Sequence, residues 1–413
     1  MSNIKFRKEE NGYLVYFTNE RTNTMVNKTG KVALDMIINQ GNTIEEVIKF
    51  FIEQYDGVKK EQIEKEIKEY LKEILDRLGK NTFNEAEQLL LKAPLGVEIE
   101  ITTACNMRCR HCFQGDYPQK YMEFEKFKKI VDILCHTNVY EINLVGGEIF
   151  CHKDLYKMIK YVKNKNMAIT IVTNGLAIDD KWVDILADLP NLHLLLSMDG
   201  IGKVHDYIRG EGKYIKLQET LKKLQQKNIN VEVLTTLNAY NAKYVDEIVD
   251  YTRETGIPAN FNLFKPFGNR HKNLILEPNE FFSIMKKLLF KRTKEGYKLG
   301  ISDAGLVAYM LGLPERNECT ATLAGLVITV DGKMLTCPYL LEIGYYKFDD
   351  LPDFDENYIN EWANGRIFNE FRNNGLKNCQ ARSLIFSGDV KGYDPYGLEA
   401  YKKMLFDIQS ELI

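Results

Sequence analysis

The sequence predicts an α/β protein built on a partial (β/α)6 barrel of the TIM type, with a small domain on each side. From Val97 onward about six apolar strands alternate with amphipathic helices, a pattern typical of parallel strands joined by crossover helices. Before it, residues 1–80 form strands followed by helices, and the alternation ends after residue 300. The length of 413 residues also exceeds what one hydrophobic core usually organises.

The first domain, residues 1–80, is expected to be winged-helix-like, with three strands and three helices. Residues 4–26 alternate apolar and polar side chains as short strands do. The helices fall around Val32–Ile38, over Thr43–Tyr55 and from about Lys59 to Leu78, and the second opens with a capping box of Thr43 and Glu46. Residues 81–93 are polar and form a linker.

The barrel domain is expected over residues 94–300, and active sites of such barrels gather at the carboxyl ends of the strands. Its predicted strands are Val97–Thr102, Glu141–Val145, Ala168–Thr173, Leu192–Ser197, Asn230–Thr236 and Asn260–Phe264. Residues 301–413 are expected to form a third, small α+β domain. It contains a hairpin at Asp331-Gly332, a pair that suits a tight type I′ turn.

The composition and net charge of the chain argue against some classes of binding partner. The 55 basic and 58 acidic residues leave a net charge of −3, which argues against a general nucleic-acid-binding protein. The sequence contains neither a secretory signal nor a long apolar run, so we expect a cytoplasmic protein without a membrane span. In that reducing compartment, eight cysteines indicate metal ligands, catalytic groups or buried residues rather than disulfides.

Cys105, Cys109 and Cys112 form a CxxxCxxC motif directly after the first barrel strand. Three thiolates on one short loop suit a four-iron cluster that leaves one iron open for a substrate or cofactor. The alternative is a zinc site or three unrelated buried cysteines, although zinc usually takes paired CxxC elements and a fourth ligand. Gly146-Gly147-Glu148 after the second strand favours the cluster.

With these motifs, residues 94–300 resemble the radical S-adenosylmethionine superfamily. The resemblance implies that the triad binds a 4Fe-4S cluster whose open iron chelates S-adenosyl-L-methionine and cleaves it to a 5′-deoxyadenosyl radical. It places His111 near the adenine, and Gly146, Gly147 and Glu148 at the methionine amino group. Ile149 departs from the family, which commonly has proline there, and should reshape the turn without removing the carboxylate.

The resemblance implies further cofactor-binding residues at the ends of later strands. Ser197 and Asp199 match positions that hold ribose or methionine polar groups, and Arg209 is similar to an arginine that pairs with the cofactor carboxylate. The weaker candidates are Thr173, Asn174 and Asn238. The alternative for all of these residues is a solvated loop.

Cys319, Cys337 and Cys379 lie in the third domain, and their surroundings resemble the auxiliary-cluster domains called SPASM or twitch. Three cysteines match a twitch domain with a second, auxiliary 4Fe-4S cluster, which has either an open iron or an unidentified fourth ligand. The alternative is three core cysteines.

Residues 1–80 resemble the PqqD-like recognition element of ribosomal peptide (RiPP) maturation enzymes. The family binds a leader peptide as an added strand, and an exposed sheet edge suits such binding. The alternative is a winged-helix-like fold without a peptide partner.

Together the resemblances imply a radical SAM peptide maturase similar to the sactisynthases, which form thioether links between a cysteine sulfur and a carbon of a precursor peptide. An external reductant such as flavodoxin or ferredoxin would supply electrons. The enzymatic alternatives are carbon-carbon crosslinking or epimerisation of a peptide, with Cys151 as the placed hydrogen donor, and porphyrin side-chain modification. The non-enzymatic alternative is an iron-sulfur sensor.

Overall fold

A computed structural model describes residues 4–18, 22–54, 59–76, 91–112, 118–266, 271–312, 317 and 319–404. The chain divides into two compact units, Met1–Lys92 and Ala93–Ile413. The predicted linker lies mostly outside the described residues, as does the predicted end of the third helix.

The first unit contains a three-stranded antiparallel sheet and three helices, as predicted. Its strands pair in the order β1-β2-β3. Their bounds are β1 Ile4–Glu9, β2 Gly12–Phe17 and β3 Thr22–Val26. The helices are α1 Lys28–Leu34, which continues as a π-helix over Asp35–Asn39, α2 Ile44–Gln54 and α3 Lys60–Asp76.

The predicted capping box at the start of α2 is confirmed. The Glu46 backbone N–H donates to the Thr43 hydroxyl at 3.2 Å, and the Thr43 N–H donates to the Glu46 carboxylate at 2.7 Å. These reciprocal bonds satisfy two backbone donors that the helix itself leaves unpaired. Helix α2 then packs its apolar face against α1 and α3 in a cluster that includes Ala33, Phe51 and Leu71.

The second unit is built on six parallel strands that follow one another in sequence order, which confirms the predicted strand and helix alternation. The strands are β4 Gly96–Thr102, β5 Glu141–Gly146, β6 Ala168–Thr173, β7 Leu192–Ser197, β8 Val231–Leu237 and β9 Ala259–Leu263. The helices between and after them are α4 Phe124–His136, α5 Leu155–Asn164, α6 Asp180–Ala187, α7 Lys203–Arg209, α8 Lys213–Gln226, α9 Val245–Thr255 and α10 Pro278–Lys294.

The two faces of strand β4 differ, because one carries buried apolar side chains and the other lines a cavity. Val97, Ile99 and Ile101 are completely buried, whereas Glu98 and Glu100 alternate with them and line a cavity. Because side chains on a strand alternate between faces, one face packs against helices and the other carries polar groups.

Both edges of this parallel sheet gain further strands, giving nine in total. Strand β10, Leu299–Ile301, pairs parallel with β9, and β11, Gly325–Ile328, pairs parallel with β4. The short β12, Met334–Leu335, is antiparallel to β11. Residues 325–335 therefore extend the barrel sheet, and the separation of residues 301–413 as a distinct domain stays a prediction.

The hairpin of β11 and β12 forms as predicted, but the type I′ turn is wrong. Of the two turn residues, only Gly332 has a positive φ, at +86°. The Thr329 N–H donates to the Lys333 carbonyl at 2.9 Å, and the Gly332 N–H donates to the Thr329 carbonyl at 2.8 Å. The loop thus has three residues, because Val330 is drawn toward the sheet by donating to the Glu100 carboxylate at 3.1 Å.

The remaining helices pack around this hairpin and the end of the sheet. They are α11 Ala304–Met310, α12 Pro338–Glu342, α13 Tyr358–Asn364, α14 Arg366–Asn373, α15 Gln380–Ser387 and α16 Leu398–Lys403. Completely buried Trp362 on α13 donates its indole N–H to the Gly325 carbonyl at 3.2 Å, which ties these helices to β11. Across the described ranges, the helices are all too short or too polar to cross a membrane.

Candidate functional site

The motif cysteines lie on the loop that follows β4, at the carboxyl edge of the sheet. Cys105, Cys109 and Cys112 all line one cavity of about 230 Å³. Burial raises the pKa of the Cys105 thiol to about 11. It also raises the pKa of Cys109, although the nearby Arg209 opposes that shift. Because metal binding requires thiolates, loading this triad must release protons.

Two glycines set the position of this loop by allowing backbones to touch. The N–H groups of Gly147 and Glu148 donate to the carbonyls of Thr102 and Ala104 at 2.9 and 2.8 Å. A Cβ on Gly147 would clash with the Ala104 carbonyl and lie 2.7 Å from the Thr103 carbonyl oxygen, and one on Gly146 would clash with Thr102. The glycines are therefore needed for contact between the ends of β4 and β5, and not only for approach to a ligand.

The Glu148 carboxylate is buried and held by three donors. It accepts from the Thr173 hydroxyl at 2.7 Å, the Asn174 N–H at 2.8 Å and the Phe150 N–H at 3.1 Å. Burial raises the pKa of Glu148, and these hydrogen bonds oppose that shift. The Phe150 bond caps the single 3-10 turn Ile149–Cys151, so the carboxylate keeps its place without the proline common in the family.

The Asp199 carboxylate is the centre of a second buried network. Its Oδ2 lies 2.5 Å from Arg209 Nε and 2.9 Å from His111 Nε2, and its Oδ1 accepts from the Thr236 N–H at 2.9 Å. Although burial opposes ionisation, Arg209 and His111 hold the pKa of Asp199 well below its usual range. Arg209 also directs Nη1 toward Cys109 Sγ at 3.9 Å, which links this network to the motif.

Arg110 fastens the cysteine loop to α7. Its backbone N–H donates to the Ile208 carbonyl at 2.9 Å, and its Nε donates to the Tyr207 carbonyl at 2.7 Å. The guanidinium also lies 4.4 Å from the centre of the Tyr207 ring, a favourable cation–π distance. The loop is thus held from two sides, by β5 and by α7.

The structure brings most of the predicted site residues to this cavity. Its wall contains the three cysteines and His111, Gly146, Gly147, Thr173, Asn174, Ser197 and Arg209. Glu148 and Asp199 lie behind the wall and contact residues that form it. Asn238 does not reach the cavity, because its side chain closes a turn by accepting from the Tyr240 N–H at 3.0 Å and donating to the Thr236 carbonyl at 3.0 Å.

Other wall residues were missed from the sequence, notably Phe264, Lys265 and Tyr339. Phe264 and Lys265 follow β9, so the rule that sites gather at carboxyl ends of strands was a usable signal. Tyr339 lies two residues after Cys337, and only the folded chain brings it beside the first triad.

The second set of cysteines also comes together. Burial, followed by the proximity of Cys379 and Cys319, raises the pKa of Cys337 to about 12. The Cys379 N–H donates to Asp394 at 3.3 Å, and the same carboxylate accepts from completely buried Arg382 at 2.8 Å. Cys337 therefore lies near both other thiols, and the backbone of Cys379 is bound to a buried ion pair.

In the part of the chain that the structure describes, no three His, Cys, Asp or Glu side chains converge as the ligands of a single metal ion do. A single zinc ion draws its ligands to within about 2.0–2.3 Å of one point. An iron-sulfur cube is bound differently, because each thiolate attaches to a separate iron atom.

A second cavity of about 330 Å³ adjoins the first and shares Gly146 with it. Apolar side chains of β11 and α12 form part of its wall, and carboxylates form another part. Burial, together with the neighbouring Glu100, raises the pKa of Glu98 to about 7. Lys120, another wall residue, pairs with Asp331 at 2.7 Å.

Comparison with known proteins shows what the region around the first cavity is similar to. Residues 99–253 match the profile of the Radical SAM superfamily. The sporulation killing factor maturation protein SkfB of Bacillus subtilis is 29% identical over 40% of this chain and 40% of its own length. The subtilosin biosynthesis protein AlbA of Bacillus subtilis is 27% identical over 47% of this chain and 44% of its own. The matched region thus spans less than half of each relative.

Among solved structures, Streptococcus suis SuiB bound to its precursor peptide SuiA superposes with a TM-score of 0.69. The alignment covers 95% of this chain and 98% of SuiB at 15% identity. At this identity the likeness establishes the fold, and it does so over nearly the whole chain.

The Gly147→Ala substitution tests the contact between β4 and β5. We expect the added methyl to push the Cys105 loop away, at a cost of about 1–3 kcal/mol in unfolding free energy and a loss of bound iron. Gly96→Ala is the control, because its Cβ would meet Glu141 at an ordinary 3.6 Å. Iron per chain after anaerobic reconstitution and the thermal midpoint are measured. Wild-type values for Gly147→Ala would contradict this interpretation.

Proposed function

We propose, from the radical SAM domain that residues 99–253 form, that this chain is a peptide maturase that joins a cysteine sulfur to a backbone-proximal carbon of a ribosomally made precursor. The observation that carries the proposal is the presence of two cysteine triads in one compact unit, with Tyr339 between them. Tyr339 lines the cavity of the first triad and lies two residues from Cys337 of the second.

The first triad fits a cluster with one open iron. Its three thiols line a cavity whose wall also offers backbone and polar side chains for a ligand. With S-adenosylmethionine bound, a 4Fe-4S cluster here would supply the 5′-deoxyadenosyl radical that takes hydrogen from the peptide. The chain's own residues would hold that cofactor and keep it oriented.

Glu148 is suited to the cofactor's ammonium. A carboxylate has about four acceptor positions, and three are used by Thr173, Asn174 and Phe150, which leaves one for a ligand. The three donors also hold the carboxylate in a single orientation directly behind the cavity wall, where its negative charge would attract the ammonium.

Arg209 retains donors for the cofactor carboxylate. A guanidinium has five N–H donors, of which Nε is used by Asp199 and one Nη1 hydrogen points to Cys109. Asp199 thereby orients Arg209, and His111 Nε2 lies 2.9 Å from the same carboxylate at the cavity wall. Ser197, on the same wall, would add a hydroxyl for the ribose or methionine part.

Cys319, Cys337 and Cys379 would hold an auxiliary 4Fe-4S cluster. Formation of a thioether removes one hydrogen from carbon, one proton from sulfur and one further electron, so an acceptor is required. Acceptance of that electron is the chemistry a second cluster would supply. The proposal is supported by the proximity of Cys337 to Cys319 and Cys379, and by the bond from the Cys379 N–H to Asp394, which pairs with Arg382.

The first unit would bind the leader of the precursor. Strand β3 is at the edge of its sheet, so its outer backbone groups can pair with an added strand. The hydroxyl of Thr22 and the amide oxygen of Asn23 are buried without a hydrogen-bond partner within the described ranges. These groups offer extra contacts to a peptide beside β3.

The remaining proposed partner is an external one-electron donor such as flavodoxin or ferredoxin. Arg108 and Arg110 are exposed on the cysteine loop and would attract an acidic protein to it. We place this activity in the cytoplasm, where free cysteines such as these eight stay reduced.

A mass measurement tests the proposed reaction. The reduced enzyme is incubated with S-adenosylmethionine and a candidate cysteine-containing precursor peptide, and the peptide is then reduced and treated with iodoacetamide. We expect a loss of two hydrogens per link and cysteines that resist alkylation, because their sulfur is already bonded to carbon. Omission of the cofactor is the control.

Other products are separable in the same experiment. An unchanged peptide mass, as in epimerisation, would contradict the proposal. A loss of two hydrogens with cysteines still open to alkylation would indicate a carbon-carbon crosslink and would also contradict it.

Iron counting tests the two triads independently. We expect about eight irons per chain, falling to about four when either triad is replaced by alanine, because each cube carries four irons. Cys135→Ala is the control, since Cys135 lies on α4 outside both triads. Replacement of the second triad without loss of iron would contradict the auxiliary cluster and leave the first one standing.

A further inference from the structure

Lys265 is a cation in the wall of the radical SAM cavity to which no role has yet been given. It follows β9 at the carboxyl edge of the sheet, and its Nζ lies 4.7 Å from the centre of the Tyr339 ring. Both side chains line the cavity that contains Cys105, Cys109 and Cys112. Lys265 therefore contacts the same space as the first triad.

The ammonium of Lys265 makes no hydrogen bond or ion pair with any residue in the described part of the chain. An ammonium has three donors, and Lys265 is only partly exposed, so unused donors at this position carry a desolvation cost. The cavity's other cation, Arg209, is already committed to Asp199 and Cys109. The free donors of Lys265 thus call for an acceptor that enters the cavity.

Lys265 also stands beside the second triad. Its neighbours on that side include Cys379 and Asp303. The other cation on that side, Arg382, is paired with Asp303 at 2.7 Å and with Asp394 at 2.8 Å. Of these two cations, Lys265 is the one whose N–H donors are available to a ligand.

An oxygen acceptor of a peptide fits this position. A hydrogen taken from a backbone-proximal carbon places the adjoining carbonyl inside the cavity, and every residue of a peptide brings that carbonyl. The Tyr339 ring beside the ammonium offers an apolar face for the rest of the residue. A charge-assisted bond from Lys265 to the carbonyl would fix the carbon's position relative to the radical source.

We infer that Lys265 is a substrate-binding residue whose ammonium donates to the backbone carbonyl of the peptide residue that loses hydrogen, in the space between the two triads. This inference rests on the proposed peptide-modifying function and deepens it. In this role Lys265 would raise the fraction of cofactor cleavage events that lead to a modified peptide.

The test compares Lys265→Met, Lys265→Gln and Lys265→Arg with wild type on the precursor peptide. Product formed per 5′-deoxyadenosine, the KM for peptide, peptide-free cofactor cleavage and iron per chain are measured. We expect Met and Gln to lower the product ratio roughly tenfold or more and to raise KM, because a charge-assisted hydrogen bond is lost. Arg should restore part of the coupling, and iron per chain should stay at the wild-type level.

Lys272→Met is the matched control, since Lys272 is an exposed lysine on the same connection, and it should leave every quantity unchanged. Wild-type coupling and KM in either Lys265→Met or Lys265→Gln would overturn the inference. So would a shift in the reduction potential of the second cluster with coupling intact, which would make Lys265 a redox-tuning residue. A wild-type enzyme that yields no product would instead overturn the proposed function.

Discussion

The close contact between the ends of β4 and β5 is the constraint on which the site depends. Gly146 and Gly147 let the two backbone N–H groups that follow β5 donate to the carbonyls of Thr102 and Ala104, immediately before the first motif cysteine. Glu148 carries one of these N–H groups, so the same contact positions both the cysteine loop and a carboxylate. Side chains larger than hydrogen would separate these elements, and the three thiols would lose their common cavity.

Around this contact the site is stabilised by buried charges that compensate one another. Asp199 is completely buried and accepts from Arg209 and the Thr236 amide, with His111 Nε2 2.9 Å away, while Glu148 receives three donors. Unpaired charges in such a place would be expensive, so each pair also serves to lock its members in position. Lys265 differs from these residues, because it is partly exposed and makes no ion pair in the described part of the chain, and we infer that it binds the peptide.

Local patterns in the sequence were sufficient for the parallel strands, the capping box and the cysteine loop, because spacing and alternation determine them directly. Most of the predicted residues that line the cavity came from the resemblance to the radical S-adenosylmethionine superfamily. Two features were not predicted from the sequence. The Asn238 side chain closes a local turn by a hydrogen bond, and Lys265 contacts Tyr339, which is more than 70 positions later in the sequence. The prediction of a type I′ turn was wrong for a similar reason, since the Val330 N–H donates to Glu100, which is 230 positions earlier in the sequence. Long-range contacts of this sort are invisible to local periodicity.

Cofactor cleavage by the first triad is the claim that everything else assumes. The most direct measurement follows 5′-deoxyadenosine in anaerobically reconstituted protein after reduction with dithionite, with a Cys109→Ala variant alongside. We predict release of 5′-deoxyadenosine by the wild type and none by the variant. Intact S-adenosylmethionine after strong reduction of wild-type protein that carries its full iron would contradict the account.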